Sequence, residues 1–443
     1  MIKVVLVIDH LERDLRGVVL VAWWLNIKWG IKPIITHTKN EISSLIKYKP
    51  DMILLQHVRH HWQKEFLEYA KAQNTAIGIS LAEGFPIDKN MYIFQAGRDE
   101  YVKMVDLFLT WGPEFNQELK RNTLTKHAIS IDVGSPRFDY HNNKYDSLTD
   151  KKNKINKKFN ISKHKQIITW LTSTPYANPE EGYDKFIKKM KKPTTSDSRI
   201  DFLIEPLAKD NQKVFDIFSS FYMKLCEEFP KIHFLIKVHP GEKKEIYTGL
   251  FKGISNVTVI YGSDVSLTSI LKYSDIIINW RCTTASESWL VDLNKKTIAF
   301  ELDNPKTELF KYLIDGSDII KDYEGLKDRI TAYLNGNTVS PYLISKRRNF
   351  INKYMHSDDG KSSERCSDQI YNYINNQVNS PKRSLHNYKI IAKYLGKYKF
   401  NNNWLSSKRT KSHSKYIPPE LVVNEFEKLN MLYGGNVDYL LEM

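Results

Sequence analysis

Cysteine is scarce: Cys226, Cys282 and Cys366 are the only three in 443 residues, and none falls in a CxxC spacing. Three cysteines cannot all pair, so a disulfide scaffold and a cysteine-built zinc site are disfavoured, and a reducing compartment fits. Long apolar runs are missing too, since nothing approaches the ~18–20 residues that span a bilayer. The opening stretch Ile2–Ile8 runs straight into Asp9-His10-Leu11-Glu12-Arg13-Asp14, whereas a signal peptide needs a longer apolar region and a small-residue cleavage site. These absences lead us to expect a soluble, cytoplasmic protein. The chain also has no DxD and no HExxH. His57, His60 and His61 cluster without nearby carboxylates, so neither a metal nor a cofactor is expected. No period repeats, which disfavours a solenoid.

Acidic residues are absent between Asp368 and Glu420, while the whole chain carries 66 Lys+Arg against 51 Asp+Glu, a formal +15. Residues 382–415 hold ten Lys/Arg interleaved with Tyr388, Tyr394, Tyr398, Phe400 and Trp404. Such a mixture suits an anionic membrane surface, with peripheral association at the inner face of the membrane as the expectation. Nucleic acid would also be attracted, but no zinc-finger spacing, RNP-type motif or helix-turn-helix accompanies the charge, and it stays the minority alternative. A second cluster, Lys151 to Lys165, lies in a polar stretch that resembles a linker.

Hydrophobic residues make up 41% and aromatics 12% of the chain, enough to build cores over the two or three domains its length suggests. Short β-branched runs alternate with helical periodicity. Strands are predicted at Lys3–Ile8, Lys32–Thr36, Met52–Gln56, Ala76–Ser80, Leu107–Trp111 and Ala128–Val133. After the Lys/Asn-rich stretch the pattern restarts at Ile167–Thr172, His233–Val238, Val257–Tyr261, Asp275–Asn279 and Lys296–Phe300. Helices are predicted between them, including Ser266–Tyr273 capped by Asp264 and Thr284–Asp292 capped by Thr283. Alternation of this kind makes parallel, doubly wound sheets. The expected organisation is α/β: a Rossmann-like domain at 1–150, a basic linker at 151–165, a second Rossmann-like domain at 166–340, and a helical, then basic C-terminal extension at 341–443.

Ligands of open parallel sheets bind at the carboxyl ends of the strands, and the unusual polar residues collect there. In the second half these are Thr172-Ser173, His239-Pro240, Gly262 and Thr283-Thr284. A helix opening at the threonines would attract an anion through its dipole and add two hydroxyls. Glu287, one turn further in, could accept from a ribose hydroxyl. His239 could hold a phosphate and stabilise a departing nucleotide. In the first half a carboxylate is needed as base or nucleophile. Glu83, before Gly84, is the leading candidate, with Asp9, Asp14 and Asp139 as rivals. Asp9, His10, Arg13, Arg137 and Asp139 complete the expected acceptor side, the arginines suiting a carboxylate or phosphate. Two sheets with such edges suggest two facing domains and a cleft, the GT-B arrangement.

Six segments together carry a resemblance. They are Glu12-Arg13-Asp14-Leu15, Glu83-Gly84, Asp106–Gly112, Gly134-Ser135-Pro136-Arg137-Phe138-Asp139, Lys237-Val238-His239-Pro240 and Cys282-Thr283-Thr284-Ala285-Ser286-Glu287. Over about residues 1–340 the chain resembles the bacterial surface carbohydrate biosynthesis family of GT-B proteins. It is more distantly similar to capsule and lipopolysaccharide transferases that use CMP-activated Kdo or sialic acids. Ala82 stands where members tend to have a second acidic residue, and the basic tail has no counterpart. The resemblance implies nucleotide phosphates at His239 and Thr283-Thr284, with the acceptor and the catalytic carboxylate in the N-terminal half. The expected partners are a nucleotide-sugar donor and a glycan or lipid-linked glycan acceptor. The leading expectation is therefore a metal-independent glycosyltransferase. Its alternatives are a CDP-glycerol or CDP-ribitol polyol-phosphate transferase, a nucleotide-sugar epimerase, and a non-enzymatic basic protein that binds membrane surfaces or nucleic acid.

Overall fold

The structure is a computed structural model and describes residues 2–85, 92–162, 165–190, 201–262, 265–376, 385–400 and 417–442. It separates into two compact units, one of residues 1–140 with 352–443 and the other of residues 141–351.

The first unit is built on β1 (Val4–Ile8), β2 (Ile34–His37), β3 (Met52–Leu55), β4 (Ala76–Ser80), β5 (Leu107–Thr110) and β6 (Ile129–Asp132). All five β1 residues are buried, as a central strand covered on both faces requires. The sheet is parallel, in the order β2-β1-β3-β4-β5-β6. Its order reverses between β1 and β3, the topological switch point at which ligands of such sheets bind. Helix Leu11–Trp29 follows β1 and stops at Gly30, whose φ of 63° lets its N–H close back on Asn26 at 2.8 Å.

A strand near the end of the chain, Leu440–Glu442, pairs parallel with β2 and adds a seventh strand to this sheet. Glu442 is tied down by Lys47 Nζ at 2.6 Å and Tyr48 OH at 2.7 Å. The sequence reading anticipated helix and basic coil in this region, with no strand. Helix Ser362–Asn376 packs on helix Leu11–Trp29, with Lys28 bonded to Glu364 and Asp368 at 2.9 Å each and the Trp29 and Tyr371 rings stacked 3.9 Å apart. Part of the basic region is helical, at Leu385–Phe400. There Tyr394 is buried and donates to Glu68 at 2.7 Å, so it anchors the helix instead of facing a bilayer. Tyr388 is exposed; residues 401–415, with Trp404, lie outside the described residues.

The second unit carries β7 (Ile167–Leu171), β8 (His233–Lys237), β9 (Val257–Ile260), β10 (Ile276–Asn279), β11 (Lys296–Phe300) and β12 (Asp318–Ile320). The order β12-β11-β10-β7-β8-β9, parallel throughout, is the Rossmann order with its switch point between β7 and β10. The long helix Ile204–Glu228 buries Phe218 and Tyr222 against Trp170, in a core shared with Phe234 and Phe300. The lysine-rich stretch contains a helix, Lys152–Lys158, whose Ile155 enters a core with Leu235 and Ile260. The cap of helix Leu267–Tyr273 is Ser266, accepting from the Ser269 amide at 3.2 Å; Asp264, the expected cap, lies outside the described residues. Two parallel-sheet, Rossmann-like units are consistent with a GT-B architecture. Among the described residues no helix is long and apolar enough to cross a membrane.

Candidate functional site

At the β1/β3 switch point the chain leaves β1 through Asp9 and His10 and enters helix Leu11–Trp29 at once. Arg13 and Asp14 therefore project from that helix's first turn. Asp14 is buried, accepts from the His10 amide at 2.9 Å and takes Arg13 Nε at 2.8 Å. Asp9, also buried, accepts from Thr38 Oγ1 at 2.8 Å and from Arg13 Nη2 at 3.2 Å. Burial works against the Arg13 charge, but Asp14, Glu83 and Asp9 outweigh it and raise its pKa. His57, following β3, lies 3.6 Å from Asp9. Burial, Arg59 and His60 push it down to about 3 despite Asp9, so the imidazole is neutral at physiological pH.

Glu83 faces the same cluster from the loop after β4. Its Oε1 accepts from Arg13 Nη1 at 2.9 Å and its Oε2 lies 3.6 Å from Arg59 Nη1. Desolvation by its neighbours would raise this half-exposed carboxyl, but the charges of Arg59, Arg13 and Arg137 hold it down at about 2. A general base works best with a pKa near the operating pH. A carboxylate held this low accepts protons poorly, so its surroundings favour an ionic role over the base role expected from the sequence. Asp14, locked to Arg13 and a helix start, is no better placed. Gly84 serves packing here, since a Cβ would fall 2.2 Å from the Trp111 indole.

Arg137 lies 4.9 Å from the centroids of both the Trp111 and Phe138 rings. Its backbone approaches helix Leu11–Trp29 at Gly17, where a Cβ would lie only 2.9 Å from the Arg137 nitrogen. A cavity of about 30 Å³ lies beside these groups, lined in part by Arg13, Asp14, Gln56, Ser80 and Arg137. Asp139 is not part of this cluster. Buried, it accepts from the Ser362 and Ser363 amides at 2.8 Å each and from the Ser363 hydroxyl at 2.5 Å, capping helix Ser362–Asn376.

In the second unit the strand ends are laced together. Thr172 Oγ1, after β7, accepts from the His239 amide at 2.8 Å, and the Ser173 hydroxyl donates to the Trp280 carbonyl after β10. His239 is exposed, and its Nδ1 accepts from the Gly241 amide at 3.0 Å. With Nδ1 accepting, the neutral ring carries its proton on Nε2. Beneath it Glu242 is fully buried and accepts from the Thr174 amide at 2.8 Å, the Thr174 hydroxyl at 3.2 Å and Tyr247 OH. Burial raises its carboxyl to about 6 against these hydrogen bonds. Pro240 accepts from Tyr261 OH at 3.3 Å, and the Gly262 carbonyl takes Lys237 Nζ at 3.2 Å.

Helix Thr283–Val291 begins after β10, but its cap position is Cys282 and Thr283 is its first residue, one place earlier than the sequence suggested. Both threonine side chains are half-buried. Arg281, at φ 45°, turns the chain into the helix and is held by the Thr307 and Leu309 carbonyls at 2.7 and 2.9 Å. Glu287 is buried, with Oε2 at 3.1 Å from His141 Nε2. Arg59 and Glu242 carry no motif of their own; their position in the segments after β3 and β8 is the one signal the sequence offers for them.

No family model and no curated protein matches the sequence. Among solved structures, the chain is similar to S. aureus MnaA with UDP at 13% identity and TM-score 0.55, covering 87% of this chain and 100% of that one. UDP-GlcNAc 2-epimerase from Neisseria meningitidis with UDP-GlcNAc matches at 16% identity and TM-score 0.53, covering 84% and 100%. The wall teichoic acid polymerase TagF, as an H444N variant with CDPG, matches at 12% and 0.55, covering 85% and 90%. At these identities the likeness establishes the fold.

Proposed function

We propose that the chain is a nucleotide-sugar-using transferase of surface polysaccharide biosynthesis, with the donor nucleotide at the β7/β10 switch point. The observation that carries this reading is the convergence, on strands flanking β7, of His239 with a defined Nε2–H and a helix opening at Thr283-Thr284. The two flanking strands lie about 10 Å apart at the usual sheet spacing, within the length of a nucleotide. His239 Nε2–H, the threonine hydroxyls and the helix dipole would together neutralise the phosphate charge that grows as the nucleotide departs. The donor we favour is a CMP-activated nonulosonic acid or Kdo, and the acceptor a glycan bound by the first unit.

The test is thermal unfolding of the whole chain with CMP, CDP, UDP and GDP. A nucleotide at 100 times its dissociation constant stabilises by about 2.7 kcal/mol. We expect a CMP-dependent rise in melting temperature that His239→Ala abolishes; no rise with any of the four would overturn the reading. The likeness in fold to a teichoic acid polymerase favours a second reading, polyol-phosphate transfer from CDP-glycerol. It predicts a rise with CDP-glycerol and the release of CMP on turnover.

A further inference from the structure

Three guanidiniums and three carboxylates meet at the β1/β3 edge. The guanidiniums are Arg13 and Arg59, whose nitrogens lie 2.9 and 3.6 Å from the Glu83 carboxylate, and Arg137, which lines the same cavity as Arg13 and Asp14. Two of the carboxylates are fixed: Asp9 is buried between Thr38 and Arg13, and Asp14 between the His10 amide and Arg13. Glu83 differs from both. Its side chain is 50% exposed, against 8% for Asp9 and 4% for Asp14, and it sits on a loop. The Arg13 and Arg59 side chains are themselves 20% and 24% exposed.

We infer that Arg13, Arg59 and Arg137 form a subsite for the oxyanion of an acidic sugar, and that Glu83 fills it in the ligand-free protein until the ligand displaces it. Resting on the transferase reading above, that sugar is the acceptor. Charge balance argues for the exchange. With Glu83 in place the three cations are matched, and swinging it into solvent leaves one positive charge uncompensated. A sugar carboxylate restores the balance. A phosphate monoester also fits the guanidinium planes but brings more charge than the site lacks. Planar guanidiniums pair bidentately with either anion. Glu83 needs only a side-chain rotation to leave, whereas moving Asp9 or Asp14 would break a strand-end contact or a helix start.

The experiment is calorimetric titration of the full chain and its Glu83→Gln variant with glucuronate, glucose 6-phosphate and neutral glucose. Gln keeps the shape of the side chain and removes its charge. We expect glucuronate to bind Glu83→Gln about tenfold more tightly than the unaltered chain, with no such gain for glucose. Arg59→Gln should cancel the gain. A larger gain for glucose 6-phosphate than for glucuronate identifies phosphate as the oxyanion. Unchanged glucuronate binding in Glu83→Gln, equal tightening for glucose, or no measurable binding of either anion by either protein would overturn the inference. CMP-induced stabilisation of the same proteins reads the other site. If it is absent while the anion result holds, the transferase reading falls and the subsite stands. The reverse pattern removes the subsite and leaves that reading intact.

Discussion

Glu242 shows how one side chain can tie a loop to the core. Its carboxylate gathers the Thr174 amide and hydroxyl and Tyr247 OH beneath the turn that carries His239. Burial raises its carboxyl from 4.5 to about 6, so folding favours the protonated form. Its contribution to stability is then full below pH 4.5 and declines as pH rises through 6. The rise from 4.5 to about 6 sets the loss at about 2 kcal/mol. Glu242→Gln cannot ionise and escapes that loss. Urea unfolding of both proteins at pH 4 and pH 7 should show their stability difference moving in favour of the variant by about 2 kcal/mol. A constant difference across that range would rule out a raised carboxyl.

Among the elements, helix Ser362–Asn376 depends on a residue over 200 positions away. Asp139 supplies the acceptors for its first amides, and a buried carboxylate bonded to two amides and a hydroxyl is a strong cap. Asp139→Ala should lower the stability of the first unit by about 2–4 kcal/mol, read as a fall in urea midpoint. The melting shift caused by CMP should survive. This cap also marks where the sequence stopped being informative. Strands β1 to β11 were legible as short, largely apolar runs closed by polar or glycine residues, and Lys296–Phe300 was bounded as observed, whereas β12, three residues opening on Asp318, was missed. Apolar spacing alone would start the first helix at Leu15, but it begins at Leu11, because its first turn carries the polar residues of the cluster. Long-range pairing leaves no such trace. Asp139 read as an acceptor ligand, Arg59 drew no attention, and Leu440–Glu442 is too short to show a period. Their partners lie 223, 24 and 406 residues away, and nothing local encodes them.

For the molecule as a whole, two separately cored units argue against a single cooperative transition. Urea unfolding followed by hydrogen exchange should show two steps. CMP should delay exchange in β7, β8 and β10 and leave β1 and β3 unchanged. Equal protection in both sheets would place the nucleotide elsewhere. The pairing of Leu440–Glu442 with β2 matters before the protein is finished. As the chain leaves the ribosome, β1 to β6 emerge together, but the partner on the far side of β2 follows some 300 residues later. At ~5–20 residues per second, that interval lasts roughly 15–60 s. Throughout it the nascent first unit presents an open sheet edge, a ready template for pairing with another chain. Translation speed and chaperone supply should therefore govern the yield of intact protein.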